Sequence, residues 1–190
     1  MLIYQTSVSQ NLDDIFDDDS SSNNNKISFS TFDFLRGIPS IAYSRVIYQV
    51  SPEDYKLSAR IGIGVQMFDP ILTIPYYTNN ICEIFSKMEE DDLSQARYFE
   101  LGIVSNYPDY YFGTDNELYM GFIWRHEVFD FYNDVLRVNS YWLDYGYDIV
   151  ISSKYHIMPD VRFGLSNYKY KEKKDFNFNI MVNIEFLYSF

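Results

Sequence analysis

The chain lacks the features on which several common protein classes depend. Its single cysteine, Cys82, has no second thiol with which to form an internal disulfide or ligate a metal. It contains no apolar run of the length, about 18 residues, that a membrane-spanning helix requires. Only 15 lysines and arginines stand against 27 acidic residues, for a net charge of −12. Because the basic residues are also scattered, we expect no nucleic-acid partner.

The chain is rich in aromatic residues and in strands with two unlike faces. There are 19 tyrosines and 16 phenylalanines. In the last segment, residues 176–190, every second side chain is apolar and most of those between are polar. Successive side chains of a strand point to opposite sides, so this segment predicts a strand with one apolar face. Its length exceeds the usual soluble strand of about 5–6 residues and suits a membrane-crossing strand, which needs about 9–11.

Other segments repeat this two-faced pattern. Residues 55–67, 117–125 and 161–166 alternate in the same way, with Gly62 and Gly64 on the predicted inward face. Together they predict an all-β fold, a closed antiparallel up-and-down transmembrane β-barrel of about 8–10 strands over residues 26–190. The weaker strands that complete this count are predicted at residues 27–35, 40–49, 73–85, 97–106, 135–143 and 147–157.

Residues 1–25 differ from the rest of the chain. They are acidic and rich in serine and asparagine, which predicts a flexible leader, with a further strand at residues 2–8. The first residues show no basic region followed by an apolar stretch and a small-residue cleavage site. Either an export signal preceded Met1 and was removed, or the expectation of export is wrong.

Charged residues on the predicted inward faces suggest how the lumen is filled. An unpaired buried charge costs several kcal/mol, and a barrel of about eight strands is only wide enough for its own side chains. We therefore expect a salt-bridge network inside the barrel, and the alternative is a narrow pore whose network rearranges. The predicted members are Arg60, Glu100, Glu117, Arg125, Glu127, Arg137, Arg162 and Glu185.

Two histidines are the only candidates for metal binding or acid–base chemistry. His126 shares the outward face of Trp124, and neither histidine has a second ligand at metal-binding spacing, so we predict no metal and no cofactor. His156 lies near Ser152, Ser153 and Asp160, which would suit a lipid- or peptide-hydrolysing enzyme at the barrel rim. No G-x-S-x-G turn supports that alternative, and we expect no enzyme.

The alternating apolar residues that end at Phe190 resemble the C-terminal signature by which the insertion machinery recognises bacterial outer-membrane β-barrel proteins. Segments 40–45, 57–65, 74–77, 98–103 and 120–125 are similar to parts of small barrels of the Bacteroidota type. The resemblance implies an outer-membrane location and contact with outer-membrane lipid, and it carries over no catalytic residue. The predicted insertion signature is Ile184, Phe186, Tyr188 and Phe190.

One basic cluster precedes the last strand. With the chain end in the periplasm, as the resemblance implies, this hairpin lies on the outer surface, where it contacts lipid phosphates or is simply solvated. The cluster is Lys169, Lys171, Lys173 and Lys174. The function expected is that of a structural or accessory component, or of a platform for an envelope protein. A soluble lipocalin-like barrel, with its apolar faces turned inward around a ligand, is the main alternative fold.

Overall fold

The computed structural model describes residues 24–49, 55–68, 93–109, 116–131, 134–170 and 172–190. Each strand in these ranges pairs antiparallel with the next, and the last strand pairs with the first to close a ring. The predicted all-β, closed antiparallel fold is confirmed, with eight described strands. In chain order the elements are β1 (Asn25–Ser30), α1 (Thr31–Leu35), β2 (Ser40–Gln49), β3 (Lys56–Val65), β4 (Leu93–Pro108), β5 (Glu117–Phe131), β6 (Val135–Val150), β7 (Tyr155–Tyr170) and β8 (Lys173–Ser189).

Two of the weaker predicted strands were wrong in part. The segment 27–35 leaves the sheet after Ser30, whose Oγ accepts a hydrogen bond from the Asp33 backbone N–H at 3.2 Å and so caps α1. The segment 147–157 is two strands, because the chain reverses between Val150 and Tyr155. The predicted leader, the strand at residues 2–8 and the strand at residues 73–85 lie outside the described residues.

The ring has two different ends. At the terminal end, the Phe190 backbone N–H donates to the Asn25 carbonyl at 3.0 Å, and the connections β2–β3, β4–β5 and β6–β7 leave from this end. At the opposite, helix end, α1 folds over the mouth of the ring, and its Asp33 is 1% exposed. No helix in the described ranges is both long and apolar enough to cross a membrane.

The ring is apolar outside and mixed inside. In β8, Phe178, Ile180 and Val182 are each more than half exposed, whereas Asn179 and Asn183 between them are buried. The predicted alternation of β8 therefore runs in the expected direction. The lipocalin-like alternative, which turns these apolar residues inward around a ligand, was wrong.

Side chains fill the interior in layers. An apolar cluster that includes Phe129, Leu136 and Trp142 lies toward the helix end, and a smaller one with Val104 and Leu187 lies toward the terminal end. Charged side chains separate the two clusters. We call this set the central charge network, and its members are Asp33, Arg60, Glu100, Arg125, Asp144, Asp160, Arg162 and Glu185.

Glycine allows the largest interior side chains to lie flat against the wall. A Cβ on Gly62 would lie 2.6 Å from Glu100 Cγ, and one on Gly64 or Gly164 would overlap the rings of Tyr98 and Trp142. The neighbours that need this space are on adjacent strands, since Gly62 pairs with Glu100 and Gly64 with Tyr98. Inward glycine thus makes room for a large side chain on the paired strand.

Candidate functional site: the lumen and its two ends

Most of the charged residues predicted to face inward lie inside the ring. Glu117 lies at the terminal end, where Lys56 Nζ donates to it at 2.6 Å. Arg137 is exposed on the outer face of β6, so its predicted inward position was wrong. The inward positions of β6 are the even-numbered ones, among them Leu136 and Val138, which are apolar. The predicted residues that are 5% exposed or less are Arg60, Glu100, Arg125, Glu127, Arg162 and Glu185.

Arg60 and Arg162 hold the centre of the network. Arg60 donates from Nη1 and Nη2 to the two carboxylate oxygens of Glu185, at 2.9 and 2.8 Å, and from Nε to Glu100 at 2.9 Å. Arg162 donates from Nη2 to Glu185 at 2.5 Å and from Nε to Asp144 at 3.0 Å. The two-pronged contact between Arg60 and Glu185 is the strong form of a charge-assisted hydrogen bond. It ties β3 to β8 across the lumen.

The network continues to the helix end through Arg125 and Asp33. Arg125 donates to Asp33 Oδ1 at 3.1 Å and to Glu100 Oε2 at 2.7 Å, and its guanidinium lies 4.0 Å from the centre of the Tyr98 ring. The Tyr98 hydroxyl donates to Asp33 Oδ2 at 2.6 Å. Burial alone would raise the pKa of Asp33, but Arg125 and Arg36 outweigh it and hold that pKa below its ordinary value.

Three acids of this network were not among the residues predicted to form it. Asp144 lies inward on β6, but it fell in the gap between the predicted strands 135–143 and 147–157, which the continuous strand β6 spans. Asp160 was considered as a partner of His156, yet it is 2% exposed on β7 and accepts from Asn183 at 3.0 Å. Asp33 was assigned to a strand. For Asp33, the cap formed by Ser30 was the signal that could have revealed the helix.

A second polar site occupies the terminal end. Asp148 accepts from Lys26 Nζ at 2.6 Å, and its other oxygen lies 2.9 Å from His156 Nδ1. His156 Nε2 lies 3.0 Å from Ser189 Oγ. A small open recess of about 30 Å³ adjoins this set and is lined in part by Lys26, Asp148 and Leu187.

His156 thus has partners other than those the sequence suggested. Asp160 contacts Arg162 at 3.2 Å inside the central charge network. Ser152 accepts from the Tyr155 backbone N–H in the β6–β7 hairpin. The other histidine, His126, lies on the outer face, stacked on Trp124, with its Nδ1 2.9 Å from Asn139 Oδ1. Among the described residues, no group of three or more potential ligands is placed to hold a metal.

The outer face carries the remaining predicted residues. The four residues of the predicted insertion signature point outward and are between 38% and 50% exposed. Lys169 and Lys174 are exposed at the helix end and pair in the β7–β8 ladder. Lys171 lies outside the described residues, and only the backbone of Lys173 is described. At the same end, Arg97 and Asp130 form an outer ion pair at 2.5 Å.

The chain was compared with known proteins by family, by curated sequence and by solved structure. No family model matches it, and no curated protein matches it. A crystal structure of a major outer membrane protein from Thermus thermophilus is similar over 87% of this chain and 99% of that one, with 12% identity and a TM-score of 0.46. At that identity and TM-score, the likeness adds nothing to what the strands themselves show about the chain.

Proposed function

We propose that this chain is an integral β-barrel of the bacterial outer membrane that serves as a structural or accessory component, or as a platform for a partner protein of the envelope. One observation carries the proposal. The ring exposes apolar side chains on its outside and buries arginine, glutamate and aspartate inside, which reverses the arrangement of a water-soluble barrel.

The height of the apolar surface supports this proposal. On β7 the outward residues from Tyr155 to Leu165 are apolar. Ten residue steps of about 3.4 Å give about 34 Å along the strand. At a tilt of about 40° this is about 26 Å in height, close to the band of about 25 Å on membrane barrels. On β2, Arg45 interrupts the apolar surface, and its long side chain can carry the charge toward the interface.

The residues above and below the apolar surface fit the same proposal. Outward aromatic residues gather at the terminal end, where Tyr55 packs on Tyr107 at 5.1 Å and Tyr155 on Tyr188 at 5.4 Å between ring centres. Such aromatic girdles mark the boundary between lipid and water. At the helix end the outer face becomes charged. The outward charges there are Arg97, Asp130, Arg137, Lys169 and Lys174.

The filled lumen favours a structural role over a pore. Trp142, Arg125 and Arg162 are 1% exposed or less, and α1 covers the helix end. A conducting path would need these side chains to part. We therefore expect no single-channel conductance when the barrel is placed in a planar bilayer.

Gel mobility with and without boiling, followed by removal of detergent, tests the proposal. A folded membrane barrel should migrate differently before and after heating and should precipitate without detergent, because its apolar face is then exposed to water. A protein that shows no heat shift and stays dissolved without detergent would overturn the proposal. Steady conductance steps from the folded protein would instead support the narrow pore.

The insertion machinery and the lipid surface are the partners proposed here. Phe190→Ser should lower the amount of barrel in cell envelopes several-fold while leaving folding into pure lipid vesicles unchanged. Equal loss in both assays would assign Phe190 to stability alone.

Changing Lys169 and Lys174 to glutamine should reduce the lipopolysaccharide that copurifies, whereas Lys154→Gln at the opposite end should not. Unchanged retention would refute the lipid contact.

A further inference from the structure

We propose that Asp148, His156 and Ser189 form a serine-hydrolase triad at the terminal end of the barrel and that it cleaves a carboxylic ester. The three side chains come from β6, β7 and β8 at the same end of the ring. This activity is separate from the structural role proposed above. It depends on strand pairing at the terminal end, which brings the three side chains together.

The atoms meet in the order that the chemistry requires. Asp148 Oδ1 lies 2.9 Å from His156 Nδ1, and Ser189 Oγ lies 3.0 Å from His156 Nε2. An ionised carboxylate can only accept a hydrogen bond, so it fixes the proton of a neutral imidazole on Nδ1. The lone pair of Nε2 then faces the serine hydroxyl and can take its proton. These are the positions of acid, base and nucleophile in a serine triad.

The surroundings favour this reading of the three residues. Asp148 and Ser189 are each 1% exposed, so water cannot compete for their hydrogen bonds. Lys26 pairs with Ser189 in the β1–β8 ladder, and its ammonium donates to the second oxygen of Asp148 at 2.6 Å. The backbone N–H groups of Ser189 and Phe190 already donate to the carbonyls of Lys154 and Asn25. Lys26 is therefore the group placed to stabilise an oxyanion.

The reaction balances with water as the only co-reactant. Ser189 Oγ attacks the ester carbonyl carbon, and its proton passes to His156 Nε2. The carbonyl oxygen gains negative charge beside the Lys26 ammonium. The ester C–O bond then breaks, and the Nε2 proton passes to the departing alkoxide, which leaves as an alcohol. Water repeats the sequence on the acyl-serine, which releases a carboxylic acid and restores Ser189.

The recess beside the triad indicates the kind of ester. It opens at the terminal end and is lined by Met158, Leu187 and Val104 as well as by polar groups. Its lysines are paired, Lys26 with Asp148 and Lys56 with Glu117, so the recess does not select an anion. A neutral ester with a short apolar acyl group fits this lining. Lys26 and Asp148 line the recess and also belong to the polar site, so an ester bound there lies beside the group that would stabilise its oxyanion.

The test uses the full chain, folded in detergent and treated with a fluorophosphonate probe and with p-nitrophenyl butyrate. We expect probe attachment to Ser189, located by mass spectrometry, and ester hydrolysis above the rate of the Ser189→Ala variant. His156→Gln should lower both by about 10²–10⁴-fold, the usual contribution of a general base. Ser166→Ala is the matched control, because Ser166 is also buried and inward but its hydroxyl bonds to Ser140 at 2.7 Å.

The heat shift on gels shows whether each variant is folded, so loss of activity can be told apart from loss of the barrel. Attachment of the probe to Ser189 in the folded protein, abolished in folded His156→Gln, supports the triad. Equal labelling of the parent and Ser189→Ala overturns it, as does labelling that persists in His156→Gln. In either of those cases the three residues form a structural hydrogen-bond chain that joins three strands.

Discussion

Replacing Arg162 by glutamine should lower the free energy of unfolding by about 5 kcal/mol. Breaking one buried ion pair costs about 3–5 kcal/mol, because the remaining charge stays buried without a partner. Arg162 is 0% exposed and lies against three carboxylates, those of Asp144, Asp160 and Glu185. Glu185 keeps Arg60 as a partner, but the other two acids keep only neutral donors, Tyr119 and Asn183. The cost therefore falls at the upper end of the range.

Urea unfolding in lipid vesicles, followed by tryptophan fluorescence, measures this change. With a slope of about 2.5 kcal/mol per molar urea, the midpoint should fall by about 2 M. Arg137→Gln is the matched control, because Arg137 is exposed on the outer face of the neighbouring strand and should change stability by less than about 0.5 kcal/mol. Changing Asp144 and Asp160 to asparagine in the Arg162→Gln background should recover at least about half of the loss. Equal midpoints for Arg162→Gln and Arg137→Gln would refute the reasoning.

Three further changes test the outer face, the wall and the helix end. Val182→Arg, at a position 67% exposed on β8, should lower stability in vesicles by about 2–4 kcal/mol, and the same change at Asn167 near the helix end by about 0–1; equal effects would contradict a lipid-facing surface. Gly164→Ala should displace the Trp142 ring and shift its fluorescence. An unchanged spectrum and an unchanged stability would show that the strand backbone moves enough to accept the methyl group. Asp33→Asn should cost about 3–5 kcal/mol at pH 7. Folding lowers the pKa of Asp33 from its ordinary value of 3.8. Its carboxylate therefore stabilises the fold at pH values above 3.8, and this stabilisation is lost as the pH falls below 3.8 toward the lowered pKa. The gap between variant and parent should thus close in acid, and a gap that does not change with pH would contradict the assignment.

The alternation of apolar and polar side chains along the strands made much of the fold predictable. From Phe176 to Tyr188 in β8 every outward side chain is apolar, so the direction of Glu185 and of Phe186 could be read from the alternation alone. In β6 the same reading failed. Leu136 and Val138 face inward while Leu143 faces outward, so both faces are apolar in places and the phase cannot be fixed from the strand by itself.

The two polar sites needed information that a single strand does not carry. Asp33 joined the central charge network because Ser30 ends β1 and starts a helix that folds over the lumen. The partners of His156 are set by strand pairing, since Asp148 lies across the β6–β7 hairpin and Ser189 lies on the next strand of the ring. Proximity in the sequence had instead suggested Ser152 and Asp160 as the partners of His156. Register across the ring brought other residues to the histidine.

The seam between β1 and β8 has a consequence for the order of folding. These strands stand 165 residues apart where Asn25 meets Phe190, so closing the seam costs about 4.5 kcal/mol of chain entropy from length alone. The strands β5 to β8 are joined by short hairpins and can pair early. Until β1 arrives, Glu185 has an open edge beside it and its charge can remain in water. The central charge network thus loses its water in the same step that closes the ring. Pairing of the short strand β1 with β8 is therefore the last step in forming the barrel.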